Sequence, residues 1–65
     1  MMDTTEVRAQ IFKAMNVLAE ADMRLTYFNV LTFTADGMGI EADDNDDYPE
    51  DYEQAFDKVW DVLNA

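Results

Sequence analysis

The sequence predicts a small α+β fold in which a helix, a β-hairpin and a second helix (αββα) form a single domain over residues 1–65. Three observations predict this order. Apolar residues recur at helical spacing near the start of the chain, an Asp-Gly pair separates two runs rich in β-branched and aromatic residues, and a second amphipathic pattern follows Pro49. A two-stranded sheet is marginal alone, so we expect it to pack on the helices.

The first helix is expected over residues 4–22. Asp3 is suited to the N-cap position, and Glu6 lies three residues later, as in a capping box. Apolar residues recur at steps of three or four residues, as one buried helix face requires. These residues are Val7, Ile11, Ala14, Leu18 and Ala21.

The β-hairpin is expected over residues 25–43. Asp36-Gly37 is suited to a type I′ turn, whose two central residues need positive φ. The resulting register places apolar side chains on one face, but it leaves Phe28 and Val30 on the polar face. We expect these two side chains to be exposed, covered by a helix end, or re-aimed by a bulge.

The second helix is expected over residues 49–63, after a loop at residues 43–47. Pro49 is suited to the first helical position. At 100° per residue, one arc of this helix is apolar and the opposite arc is acidic. The aromatic residues expected to face the core are Phe12, Tyr27, Phe33, Tyr52 and Phe56, with Trp60 at the border and also assigned to the core.

The composition excludes several classes of function. The chain has no Cys, no His and no Ser, so it lacks thiol and imidazole metal ligands and the Ser-His and Cys-His nucleophile systems. We therefore expect a protein that is not an enzyme and has no cofactor. The start of the chain lacks the pattern of a signal peptide, and no apolar stretch approaches the roughly 20 residues of a membrane span. A cytoplasmic location is the expectation.

The net charge of −11 is distributed very unevenly. Residues 1–35 hold four acids and three bases, whereas residues 36–65 hold eleven acids and one base. Basic grooves bind DNA through its dense line of negative charge. An array of carboxylates on a helix and its leading loop presents a similar field, so we expect it to occupy the DNA-binding groove of another protein. The candidate partner-binding residues are Asp43, Asp44, Asp46, Asp47, Glu50, Asp51, Glu53, Asp57 and Asp61.

Other interpretations of the acidic residues remain open. The simplest is a solvated face that keeps a small protein soluble. A calcium loop over residues 43–54 is disfavoured, because an EF-hand needs Gly at its sixth position and Glu at its twelfth, where this chain has Tyr48 and Gln54. Adaptation to high salt would place acids on every face, which the nearly neutral first half opposes. A dimer through the exposed edge of the hairpin stays open, but it would bring two chains of charge −11 together, so a monomer is favoured.

The acidic segment from Asp43 to Glu53, in a chain of this size and charge, resembles the small phage-encoded anti-CRISPR proteins, in particular the acidic inhibitors of type I-C systems. The resemblance also includes the helix–hairpin–helix order predicted above. It implies inhibition of target-DNA binding by the CRISPR surveillance complex (Cascade), in the cytoplasm of a bacterial host. Neither direct binding of nucleic acid nor contact with a membrane is implied.

A different class of function also fits the sequence. The chain could be a small interaction module, similar to an antitoxin or an adaptor, that uses Phe28, Val30 and Trp60 as an apolar contact. Aromatic residues, Trp above all, are enriched among the residues that dominate protein interfaces.

Overall fold

Three α-helices build the fold, in contrast to the predicted class. The computed structural model describes residues 2–65, with helices α1 (Thr4–Glu20), α2 (Tyr27–Gly37) and α3 (Glu50–Leu63). No strand occurs in this part of the chain, so the predicted α+β class and the hairpin over residues 25–43 are wrong. Both flanking helices are confirmed. Helix α1 ends two residues earlier than expected, so Ala21 is its exposed C-cap and not part of the buried face, and α3 starts one residue later because Pro49 is its N-cap.

Helix α2 forms where the hairpin was predicted because its apolar residues fit a helical period. Val30, Leu31, Thr34 and Ala35 are its buried residues. The Thr26 hydroxyl caps the start by accepting a hydrogen bond from the backbone N–H of Asn29 (3.2 Å). The helical period also places Val30 in the core and leaves Phe28 in solvent. The position of these two apolar residues on the polar face of the predicted hairpin therefore indicated that the segment follows a helical period and not the two-residue period of a strand.

The Asp36-Gly37 pair ends α2 instead of forming a hairpin turn. The residue with positive φ is Gly39 (φ 71°), two positions beyond Gly37. The N–H of Gly39 donates to the carbonyl of Asp36 (3.2 Å), and the N–H of Ile40 donates to the carbonyl of Ala35 (2.9 Å). These two bonds are those of a Schellman motif, in which a left-handed glycine satisfies the last helical carbonyls.

The hydrophobic core lies where α1 packs against both other helices. Tyr52 and Phe56 are fully buried, as predicted, and Phe33 and Trp60 pack partly buried against the core. Phe12 and Tyr27 are 44% and 40% exposed, so their assignment to the core interior is wrong. The buried apolar residues are Val7, Ile11, Ala14, Leu18, Val30, Leu31, Ala35, Tyr52, Ala55, Phe56 and Val59.

One core residue carries a buried polar group that does not stabilise the fold. Thr34 is fully buried, and its hydroxyl has no hydrogen-bond partner within residues 2–65. Thr34→Val keeps the shape and removes the unsatisfied hydroxyl, so we expect the free energy of unfolding to rise by about 1 kcal/mol. Urea denaturation followed by circular dichroism measures this change. An unchanged or lower stability would mean that the hydroxyl is satisfied in solution.

Candidate acidic interface

Four carboxylates of α3 form one continuous strip, which we call the acidic row: Glu50, Glu53, Asp57 and Asp61. At 100° per residue they occupy an arc of about 80°. The buried residues of α3 lie on the opposite side of the helix. Glu50, Asp57 and Asp61 are exposed and Glu53 is partly exposed. The sequence therefore places the acidic row in solvent by burying the other face of α3.

A hydrogen bond from α2 holds the middle of the acidic row. The Tyr27 hydroxyl donates to Oδ1 of Asp57 (2.5 Å), across 30 positions of sequence. The ring of Tyr27 packs edge-on against Phe56 (5.3 Å between centroids) and Trp60 (5.8 Å). Asp57 is thus connected to the aromatic part of the core through one side chain. Such a tertiary contact restricts the orientation of a carboxylate that would otherwise move freely.

The acidic row also changes the chemistry of Tyr27. The pKa of Tyr27 is raised from 10 to about 12, first by the partial burial of its hydroxyl and then by the hydrogen bond to Asp57. The negative charges of Asp57, Glu53 and Asp61 act in the same direction, because they disfavour a phenolate. Three carboxylates of the acidic row therefore all raise the pKa of one hydroxyl group.

This pKa shift predicts a loss of stability in alkali. The unfolded phenol ionises near pH 10 and the folded phenol near pH 12, so the folded state holds its proton longer. The contribution of Tyr27 is complete below pH 10 and is lost as the pH rises toward 12. We expect the urea midpoint to fall over this interval, and to fall less steeply in Tyr27→Phe. Parallel curves for the two proteins would contradict the role given to Tyr27.

Residues 43–47 form a closed loop, which we call the acidic loop, at the N-terminal side of α3. Oδ1 of Asp43 accepts hydrogen bonds from the N–H groups of Asn45 (2.9 Å) and Asp47 (3.0 Å). The N–H of Asp43 donates to the carbonyl of Asp47 (2.8 Å), and Asp46 has a φ of 62°. One oxygen of Asp43 is thus engaged within the loop, and all four aspartates, Asp43, Asp44, Asp46 and Asp47, are exposed.

Asp51 does not join the other predicted residues. It lies about 100° around α3 from Glu50, and it lines a small cleft with Met2, Thr4 and Lys58. The candidate interface therefore comprises the acidic row and the acidic loop, with Asp51 on another side. Within residues 2–65, no group of three or more acids converges as metal ligands would.

An aromatic ladder along α3 supports the acidic row and went unrecognised in the sequence. Its rings lie every four residues, at Tyr48, Tyr52, Phe56 and Trp60. Successive centroids are 5.7, 6.0 and 5.7 Å apart. The buried Tyr52 hydroxyl donates to the carbonyl of Leu31 (2.6 Å), which fixes α3 to the backbone of α2. The spacing of four was visible in the sequence, but Tyr48 precedes α3 and was not grouped with the apolar residues of that helix.

The apolar contact predicted as an alternative is only partly formed. Phe28 is 69% exposed, whereas Val30 is fully buried and Trp60 is partly buried. Leu25 and Met23, in the connection before α2, are also exposed. An apolar interface on this side would therefore depend on Phe28 and its neighbours in the connection.

Comparisons with protein-family models, with curated proteins and with solved structures find no match to this chain. Within residues 2–65, none of the helices combines the length and the apolarity that a bilayer span requires. The functional argument therefore depends on the geometry and charge of the acidic row and the acidic loop.

Proposed function

We propose that this protein is a DNA mimic that occupies the basic DNA-binding groove of another protein. The observation that carries the proposal is the acidic row, in which Asp57 is hydrogen-bonded to Tyr27. From Glu50 to Asp61, four carboxylates span about 16.5 Å of helix axis, roughly one per 5.5 Å. One strand of DNA carries a charge about every 3.4 Å of axis. The acidic loop adds further charge at one end of this sparser line.

Rigidity supports mimicry over a general solubilising role. A solvated acidic face needs no fixed geometry, and mobile carboxylates would serve it equally well. Here Asp57 is hydrogen-bonded to α2, and the acidic loop is closed by bonds to Asp43. Side chains that are already ordered lose less entropy when they bind. The ordered carboxylates of Asp57 and Asp43 therefore support recognition by a partner.

The CRISPR surveillance complex is the first purified partner to test. The resemblance to acidic type I-C inhibitors depended on size, charge and element order, and the hairpin in that order is absent. Size and charge remain as its support. The proposed action is to exclude target DNA from a basic groove, and this chemistry applies equally to other proteins that bind duplex DNA.

Capture from a bacterial lysate tests the proposal. We expect the immobilised protein to retain a DNA-binding protein or complex at low salt and to release it on addition of duplex DNA. Moderate salt should also release it, because the binding replaces counterions in the groove. A captured partner that resists both duplex DNA and salt would contradict mimicry.

A second candidate function is an apolar interaction module centred on Phe28. The observation that favours it is the 69% exposure of this ring, with Met23 and Leu25 also exposed a few residues before it, since contiguous exposed apolar patches mark interaction sites. Phe28→Ala should then abolish partner binding, whereas under mimicry it should leave most of the binding intact.

A further inference from the structure

A concave pocket of about 330 Å³ lies between the outer side of α2 and the connection that follows it. Thr32, Phe33 and Asp36 of α2 line it, together with Ile40, Glu41 and Tyr48. Small-molecule sites usually occupy roughly 300–1,000 Å³. The pocket is at the lower end of this range, which suits one side chain better than a larger ligand.

The polar groups of the pocket favour a cation. Asp36 and Glu41 are both exposed carboxylates, and no Lys or Arg is among the residues that line the pocket within the described chain. Neither acid belongs to the nine residues that the sequence indicated. Glu41 precedes the acidic loop by two residues and Tyr48 follows it directly, so the pocket borders the candidate interface.

The remaining walls fit a cation that has an apolar stem. Phe33, Ile40 and the ring of Tyr48 offer apolar and aromatic surface.

We infer that this pocket receives an arginine side chain from the basic partner, an inference that rests on the proposed function. The guanidinium group would bind the carboxylates of Asp36 and Glu41, with the methylene stem against Ile40 and Phe33. Arginine fits better than lysine because its planar group pairs with carboxylates in a fixed geometry and stacks on aromatic rings such as Tyr48. The pocket would thus add a directional contact to the diffuse attraction of the acidic row.

An NMR titration of the isolated protein tests the inference without a partner. The probe is N-acetyl-arginine amide, and the control is N-acetyl-citrulline amide, which has nearly the same shape and no charge. We expect saturable shifts confined to the residues that line the pocket, and none with the citrulline compound. The double variant Asp36→Asn/Glu41→Gln should bind at least about tenfold more weakly, because both charged acceptors are lost. Asp44→Asn/Asp51→Asn, which removes the same charge elsewhere, should bind like the parent.

Three results would overturn the inference. Shifts spread over all carboxylates, or equal weakening in the two double variants, would show non-specific attraction of a cation. Equal binding of N-acetyl-lysine amide would contradict the preference for arginine. Failure of this titration would leave the capture of a DNA-binding partner unaffected, and failure of the capture would not alter the titration, so the two proposals fail separately.

Discussion

Phe56→Ala is expected to lower the free energy of unfolding by about 3–5 kcal/mol. Phe56 is fully buried, and its ring packs against Tyr27, Tyr52 and Trp60 with centroids 5.3–6.0 Å apart. Removing a buried Phe side chain costs about 3–5 kcal/mol. At about 0.05–0.15 kcal/mol per residue, a chain of 65 residues has a total stability of about 3–10 kcal/mol. The substitution therefore removes about a third or more of this stability and loosens the aromatic packing of Tyr27 of α2 against α3.

Phe28→Ala is the matched control, because it makes the same chemical change at a ring that is 69% exposed. Its effect should remain within about 0.5 kcal/mol. Circular dichroism during urea denaturation compares both variants with the parent. Similar losses in the two variants would show that the aromatic ladder is not the centre of stability.

Neutralising three of the four carboxylates of the acidic row should weaken partner binding strongly while the fold is retained. The variant Glu53→Gln/Asp57→Asn/Asp61→Asn removes three charges and keeps the side-chain shapes, including an oxygen that can accept the hydrogen bond of Tyr27. At roughly 1 kcal/mol for each charge pair lost, binding should weaken about a hundredfold. Stability should stay level or rise, since repulsion between neighbouring carboxylates of one helix is relieved.

The control for this variant removes the same number of charges from another part of the molecule. Glu6→Gln/Glu20→Gln/Asp22→Asn also changes the net charge from −11 to −8. Asp22 has a φ of 59°, which asparagine also tolerates. Calorimetric titration of the captured partner compares the two variants. Equal weakening would attribute binding to net charge alone, and the arrangement of the acidic row would then be irrelevant.

The sequence was sufficient for α1 and α3 because each has a long apolar pattern at helical spacing. It was misleading for α2, where Thr, Val and Phe favour strands and Asp36-Gly37 imitates a hairpin turn. Burial decided the outcome, because only a helix places Val30, Leu31, Thr34 and Ala35 together against α1. Intrinsic strand preference spans only about 1 kcal/mol, which tertiary packing readily overrides.

The candidate interface was partly predictable because the sequence correctly indicated that α3 is a helix. The i, i+4 spacing of Glu53, Asp57 and Asp61 places them on one face of any helix, whatever surrounds it. The contact of Tyr27 with Asp57 was not predictable, because it joins residues 30 positions apart and requires α2 to be a helix. The pocket beside Asp36 and Glu41 also requires α2 to be a helix, so it could not be foreseen from a sequence that predicted a hairpin there.

Competition for one groove is the central claim, and fluorescence anisotropy tests it most directly. A labelled duplex is bound to the captured partner, with the type I-C surveillance complex as the first choice, and is titrated with this protein. We expect this protein to displace the duplex fully, and the apparent Kd of the duplex to rise in proportion to the concentration of this protein. The variant Glu53→Gln/Asp57→Asn/Asp61→Asn should displace the duplex about a hundredfold less well. A stable ternary complex of partner, duplex and this protein would contradict the account.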